Sequence, residues 1–327
     1  MNILIKGILG VSLIAGVTLA KDANQTQTAS KMTTPQSSIK QDIEVFVSDN
    51  SDGKITPATI QSAFEKAGFT VSANRDMNGP FKKQFKSSDF DTYNLFTFYK
   101  KDKVLELAKK YPNVGLFAPM SMSIYTRKGD KKISVASLSD EAMAKIMHAP
   151  KDDATLKALK NEVRDVLKTA MPNGHYEKLP YQTKPPKSDL VTKFSMEIDP
   201  KDWEDELDEF KMGFEGELSL NGFVIAGFNN LGDDFDDAKY EGYDFYEVYS
   251  ICKLPVIYTI AKSHPEAGAF APCSLYLAKK KGADQMEIAF PSVYNWMSSM
   301  AIEDPKDVEV LEKAQTGMKK ILKGLTE

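Results

Sequence analysis

The chain has 327 residues, 42% of them hydrophobic and 27% charged, which are ordinary values for folded protein, and its length suits two domains. A formal net charge of −4 with no basic stripe argues against a nucleic-acid partner. No polybasic cluster borders an apolar segment, which argues against binding to anionic membrane.

Lys6 precedes an apolar stretch from Gly7 to Val17, and Thr18-Leu19-Ala20 places small residues at −3 and −1. That pattern predicts a secretory signal peptide over 1–20, cleaved before Lys21. The stretch is short against the roughly 20 residues of a membrane span, so no transmembrane anchor is expected after cleavage. Residues 21–41, rich in Gln, Thr and Ser, read as a flexible tether. The expected location is the periplasm or another extracytoplasmic space.

A first unit is expected over 42–172. It begins with a strand at 42–47, and Thr56, Pro57 and Gly68 then cap, start and close a helix. Strands follow from Phe69 and over 93–99. A short helix over 102–111 leads to a hairpin with arms 115–126 and 132–138, and an amphipathic helix near 154–171 ends the unit. The segment 173–189, with Pro180, Pro185 and Pro186, reads as an extended linker.

A second unit is expected over 190–326, with a strand at 191–198 and a helix from Pro200 to Gly222. Trp203, Leu207, Phe210 and Phe214 form one apolar stripe on that helix. Strands then start at Phe223 and run over 246–252, followed by a helix at 255–264, hairpin arms 268–279 and 285–290, and a helix near 305–325. Residues 93–130 align with 246–283 without a gap. Tyr93 meets Tyr246, Pro112 meets Pro265, Gly115 meets Gly268, Phe117-Ala118-Pro119 meets Phe270-Ala271-Pro272, and Ser121 meets Ser274. Such a match marks an internal repeat. The expected fold class is α+β: two repeated two-layer α/β sandwich units, each a curved, mainly antiparallel sheet backed by helices. Each sheet has an edge to cover, so the units are expected to pack as an internal pseudo-symmetric pair.

At these residues the sequence resembles the domain of unknown function 302 family, present twice. The second unit carries the family's paired Cys-Pro pattern, as Cys252-Lys253-Leu254-Pro255 and Gly268-Ala269-Phe270-Ala271-Pro272-Cys273, with two residues rather than one between Cys252 and Pro255. The first unit keeps Gly115 and Pro119 but has Tyr99 and Met120 at the Cys positions. The resemblance implies a fold like that of the TATA-box-binding protein, and it implies no activity.

Cys252 and Cys273 are the only cysteines and the candidate ligand or redox residues. The pair has three readings: a disulfide, two inert thiols, or a functional pair. Cys252 lies just before a helix start, where backbone N–H groups lower a thiol pKa. If the strands that bear them run parallel, the sulfurs meet only if the second strand is displaced or bent away at Pro272; the two Cys are expected close together in a pocket at the start of the 255–264 helix, bonded or not. His264 is expected to end the intervening helix, about 15 Å from its start, and to interact with its carboxyl end.

Three scattered His do not make a zinc site, and no metal site is expected. Residues 48–59 match a calcium loop only in part and read as a polar turn. Asp233–Asp237 reads as a solvated acidic loop. Met120 and Met122 alternate along one strand and read as core rather than as a copper ligand set. No Walker loop, dinucleotide fingerprint, H-E-x-x-H, G-x-S-x-G or haem-attachment motif is present.

The leading expectation is an exported, soluble, non-catalytic binding or accessory protein. Its cofactors are unknown and its partner is an unknown small ligand or exported protein. The alternatives are a thiol-based redox or sulfur or soft-metal carrier using the two Cys, and a protein-interaction scaffold.

Overall fold

Local chemistry starts each element where the turn residues stand. The Thr56 side chain takes the backbone N–H of Thr59 and the Thr59 side chain takes that of Thr56, a closed capping box in front of Pro57. Asp153 and Asp304 cap the two long C-terminal helices in the same way, each with one carboxylate oxygen on two backbone N–H groups. The computed structural model describes residues 41–327. The predicted signal peptide and all but the last residue of the predicted tether lie outside the described residues.

The first half contains strands β1 (Ile43–Asp49), β2 (Thr70–Asp76), β3 (Phe90–Tyr99), β4 (Met120–Arg127), β5 (Lys132–Leu138) and β6 (His175–Glu177). Its helices are α1 (Pro57–Lys66), α2 (Asn78–Phe85), α3 (Lys101–Ala108), α4 (Asp140–Met147) and α5 (Ala154–Ala170). The second half contains β7 (Val191–Glu197), β8 (Val224–Asn230), β9 (Tyr243–Cys252), β10 (Cys273–Lys280) and β11 (Gln285–Pro291). Its helices are α6 (Trp203–Leu220), α7 (Leu231–Asp237), α8 (Leu254–Ser263), α9 (Tyr294–Ser299) and α10 (Pro305–Thr326).

Two antiparallel sheets result, ordered β2-β3-β4-β5-β1-β6 and β8-β9-β10-β11-β7. Apart from β6, the strands take the same places in both. The expected α+β class, with two antiparallel sheets backed by helices, is what the chain forms.

Period-two alternation decides what each strand face buries. On β9, Phe245, Tyr249 and Ile251 pack with α6 and α10 in one core cluster, while Tyr246 and Val248 enter another. That second cluster runs from Ile43 to Ala314 and takes residues from both halves. The core therefore does not stop at the Pro185-Pro186 linker. The helix-free face of each sheet is closed by a segment of the other half: the turn at Val114–Leu116 packs on β10, and the turn at Pro265–Ala269 packs on β4.

The residues that match between the halves make these contacts in both directions. Tyr246 donates its hydroxyl proton to the Pro112 carbonyl at 2.7 Å and accepts the Gly115 N–H at 2.8 Å. Tyr93 donates to the Pro265 carbonyl at 3.1 Å. Ser121 donates to Pro272 O at 2.9 Å, and Ser274 donates to Pro119 O at 3.2 Å. A Cβ on Gly115 would lie 2.6 Å from Tyr276 Cβ, and one on Gly268 would lie 2.4 Å from Ser123 Cβ, so both turns need glycine for close approach. At the sheet margins, Ser72 on β2 donates to Asn229 on β8 at 2.7 Å.

Several expectations differ in detail. The acidic run Asp233–Asp237 lies in α7, because Asn230 caps the Gly232 N–H and Phe235 is buried beneath it. Helix α6 starts at Trp203 rather than Pro200. The hairpin arms begin at Met120 and Cys273, five residues late, because short 3-10 turns precede them.

Candidate ligand cavity around Cys252 and Cys273

Cys252 is the last residue of β9 and Cys273 is the first of β10. The strands are adjacent and antiparallel, with Cys273 facing Ile251. The parallel arrangement considered from the sequence is not formed. Helix α8 and the 265–269 turn lead away from the second sheet toward β4 and return the chain to the end it left. That reversal brings the two Cys positions side by side at one end of the sheet without any strand displacement.

Both thiols are free, and no disulfide joins them. They line one cavity of about 60 Å³ together with Phe223, Val256, Trp296 and Met318. Its walls come from the sheet end, α8, α9 and α10. The volume is roughly four to six times the 10–15 Å³ that a single water requires, and well below the roughly 150 Å³ of a cavity known to hold benzene.

Burial pushes both thiols up to about 12, and for Cys252 the neighbouring Cys273 adds to the effect. The lowered pKa expected from the helix start is therefore reversed. Cys252 sits one residue before the α8 N-cap, Lys253, and desolvation of a charged sulfur outweighs a helix dipole there. Cys273 donates weakly to the Phe270 carbonyl at 3.3 Å.

Most polar groups at the cavity are already committed. Gln315 accepts the Val293 N–H at 3.1 Å and donates to Thr192 at 2.7 Å. Lys253 donates to Asn221 O at 3.0 Å and lies 4.3 Å over the Phe223 ring, and burial lowers its pKa. Trp296 differs: the residue is 3% exposed, its indole Nε1 meets no oxygen or nitrogen acceptor, and its N–H points to the weakly accepting Cys273 sulfur. Its influence on the adjacent Cys273 is to favour the thiolate, but not enough to offset burial. Sequence reading missed Trp296 because a six-residue helix carries too little periodicity to expose an inward face.

The corresponding place in the first half is nearly closed, at about 10 Å³, with Met120, Phe98 and Lys160 around it. Tyr99 instead points across to the other half and donates to Asp234 at 2.8 Å. Counted from the helix caps Asp153 and Asp304, Lys160 stands where Leu311 stands in the second half. It contacts Glu44 at 3.2 Å and Ser137 at 2.8 Å, and burial lowers its pKa.

His264 caps α8 through its backbone, and its Nδ1 lies 3.1 Å from the buried Glu266 carboxylate, which also accepts from Tyr181. It is separate from the thiols. In the 48–59 turn, Asn50 donates to and accepts from the Ile55 backbone, and Asp52 pairs with Lys54, so those oxygens are spent locally. Among the described residues, no group of three or more His, Cys, Asp or Glu is placed to hold a metal ion. No helix among them is long and apolar enough to cross a membrane.

Residues 47–173 match the family model described as domain of unknown function DUF302, so a DUF302 domain is found there. Among solved structures, the chain is similar to the uncharacterized conserved protein DUF302 from Bacillus stearothermophilus. The identity is 14%, the match covers 43% of this chain and 100% of that one, and the TM-score is 0.36. No curated protein matches the chain.

Proposed function

We propose that this is an exported, non-catalytic binding protein made of two DUF302 domains, with the second copy over 190–326 and each copy folded like the TATA-box-binding protein. Its second copy holds the ligand, a neutral molecule of a few heavy atoms that accepts one hydrogen bond. The observation that carries this reading is an apolar cavity lined by two protonated thiols, where the buried Trp296 N–H meets nothing better than the Cys273 sulfur. Sulfur is a weak acceptor, so an oxygen or nitrogen acceptor on the ligand improves the bond that this N–H makes. The two-copy reading is supported by the shared strand order and by the ungapped match of 93–130 to 246–283. Export is supported by the pattern of residues 1–20. A thiolate-based reaction is disfavoured because both sulfurs stay protonated near neutral pH.

The chain has two Trp, so its indole N–H groups give two resolvable NMR signals. Titration with acetone, dimethyl sulfoxide and dimethyl sulfide should shift the Trp296 signal and leave that of Trp203. Ala314→Leu, which fills the cavity, should remove the response in a protein that still folds. A Trp296 signal that none of the three probes moves would sink the reading.

A further inference from the structure

The outer edges of the two sheets are finished differently. In the first sheet β6 covers β1, with Glu177, Tyr176 and His175 facing Val45, Phe46 and Val47. The Tyr176 ring meets Phe46 edge-on at 4.9 Å. The chain then continues extended: Gln41 donates to the carbonyls of Leu179 and Tyr181 at 2.9 and 2.8 Å. Tyr181 ends on the Glu266 carboxylate, its ring 5.5 Å from that of His264.

β7 occupies the place of β1 in the second sheet, and among the described residues no strand pairs with its outer side. None of its residues is fully buried, whereas five of the seven in β1 are. A cleft of about 770 Å³ opens beside it, with Phe194 of β7 and Tyr111 and Asn113 of the first half in its walls. Phe194 pairs with Ile288 as Phe46 pairs with Val135. By the match between the halves, Tyr111 and Asn113 stand where His264 and Glu266 stand. The cleft is thus the counterpart of the space that residues 175–181 fill on the other side.

An open edge strand presents unpaired backbone N–H and C=O groups, and adding a strand to such an edge is an established mode of peptide recognition. We propose that β7 and this cleft receive an extended segment of a partner protein. The segment runs antiparallel to β7, with one aromatic residue opposite Phe194 and a second, five residues later, reaching Asn113. The chain's own Tyr176 and Tyr181 are the template for that spacing. This inference rests on the two-copy correspondence and not on the cysteine cavity, so each fails by its own test.

The probe is a labelled peptide with the sequence of residues 174–184, titrated into the full chain and read by fluorescence anisotropy and hydrogen exchange. Saturable binding is expected, with new amide protection over 191–197. Replacing the first Tyr of the peptide by Ala should weaken binding about fivefold, the factor a cross-strand aromatic pair supplies. Methylating alternate peptide nitrogens should abolish it, and neither change can unfold the protein. Asn113→Ala should weaken the parent peptide only. Lack of saturation at about 1 mM, the weak limit of specific binding, overturns the proposal, as does indifference to N-methylation. New protection over 45–47 instead would mean that the peptide displaces the chain's own strand. Sedimentation showing a dimer that the peptide dissociates would assign the edge to a second copy. Either result also overturns it.

Discussion

Gly268→Ala tests whether the reciprocal turns hold the halves together. The glycine sits in the 3-10 turn that closes the helix-free face of the first sheet. An added Cβ would meet Ser123 Cβ at 2.4 Å, Ser123 Cα at 2.9 Å and Leu95 Cδ2 at 3.0 Å. Two of these atoms belong to or adjoin strand backbone and cannot swing away, so the turn must lift. Overpacking of this kind costs about 1–3 kcal/mol. Lifting the turn also strains the bonds from Tyr93 and Ser123 to the Pro265 carbonyl, each worth about 0.5–1.5 kcal/mol. Against this, Ala for Gly stabilises by about 0.4–1 kcal/mol through the unfolded chain where the site tolerates it. The unfavourable side wins, and a net loss of about 1–4 kcal/mol is expected in urea denaturation. Gly216→Ala is the control: it lies exposed in α6 with nothing within 4 Å of the added carbon. It should raise stability by about 0.5–1 kcal/mol. A Gly268→Ala protein as stable as the parent, beside a stabilised Gly216→Ala protein, would refute the close-approach argument.

The thiols give a pH signature. Their folded values rise from 9.0 to about 12, so the stability they contribute is fully present below about pH 9 and is lost as pH climbs toward 12. The difference in urea midpoint between parent and Cys273→Ala should therefore shrink across that window, and a constant difference from pH 7 to 11 would contradict it. Titration of the unreduced, denatured chain should find two thiols, and fewer than two would mean that a disulfide forms in the protein as isolated. N-terminal sequencing of the protein exported by its host should begin at Lys21, and an exported chain that still begins at Met1 would remove the signal-peptide reading.

Much of the architecture was legible because strand alternation and helix caps are local. What the matched residues do was not, because each acts on the other half. Tyr93 and Gly115 are visible in the sequence as copies of Tyr246 and Gly268, yet their partners Pro265 and Tyr246 lie 172 and 131 residues away. The proximity of the cysteines was expected, but the antiparallel direction of their strands was missed for a related reason. Only the excursion of α8 onto the first sheet fixes the direction in which β10 returns. The pattern of matches and mismatches now has a physical sense. Tyr93/Tyr246, Gly115/Gly268 and Ser121/Ser274 agree, and all of them face the opposite half. Tyr99/Cys252, Met120/Cys273 and Lys160/Leu311 disagree, and on the second-half side all three line the cavity. An interface that each half must satisfy for the other leaves both copies little room to change. A cavity serving one half places no such demand on its counterpart, where Met120 and the Lys160–Glu44 pair occupy the place left open beside Cys273. On that argument the binding role proposed above falls to the second half alone, whose residues make the whole lining of the cavity.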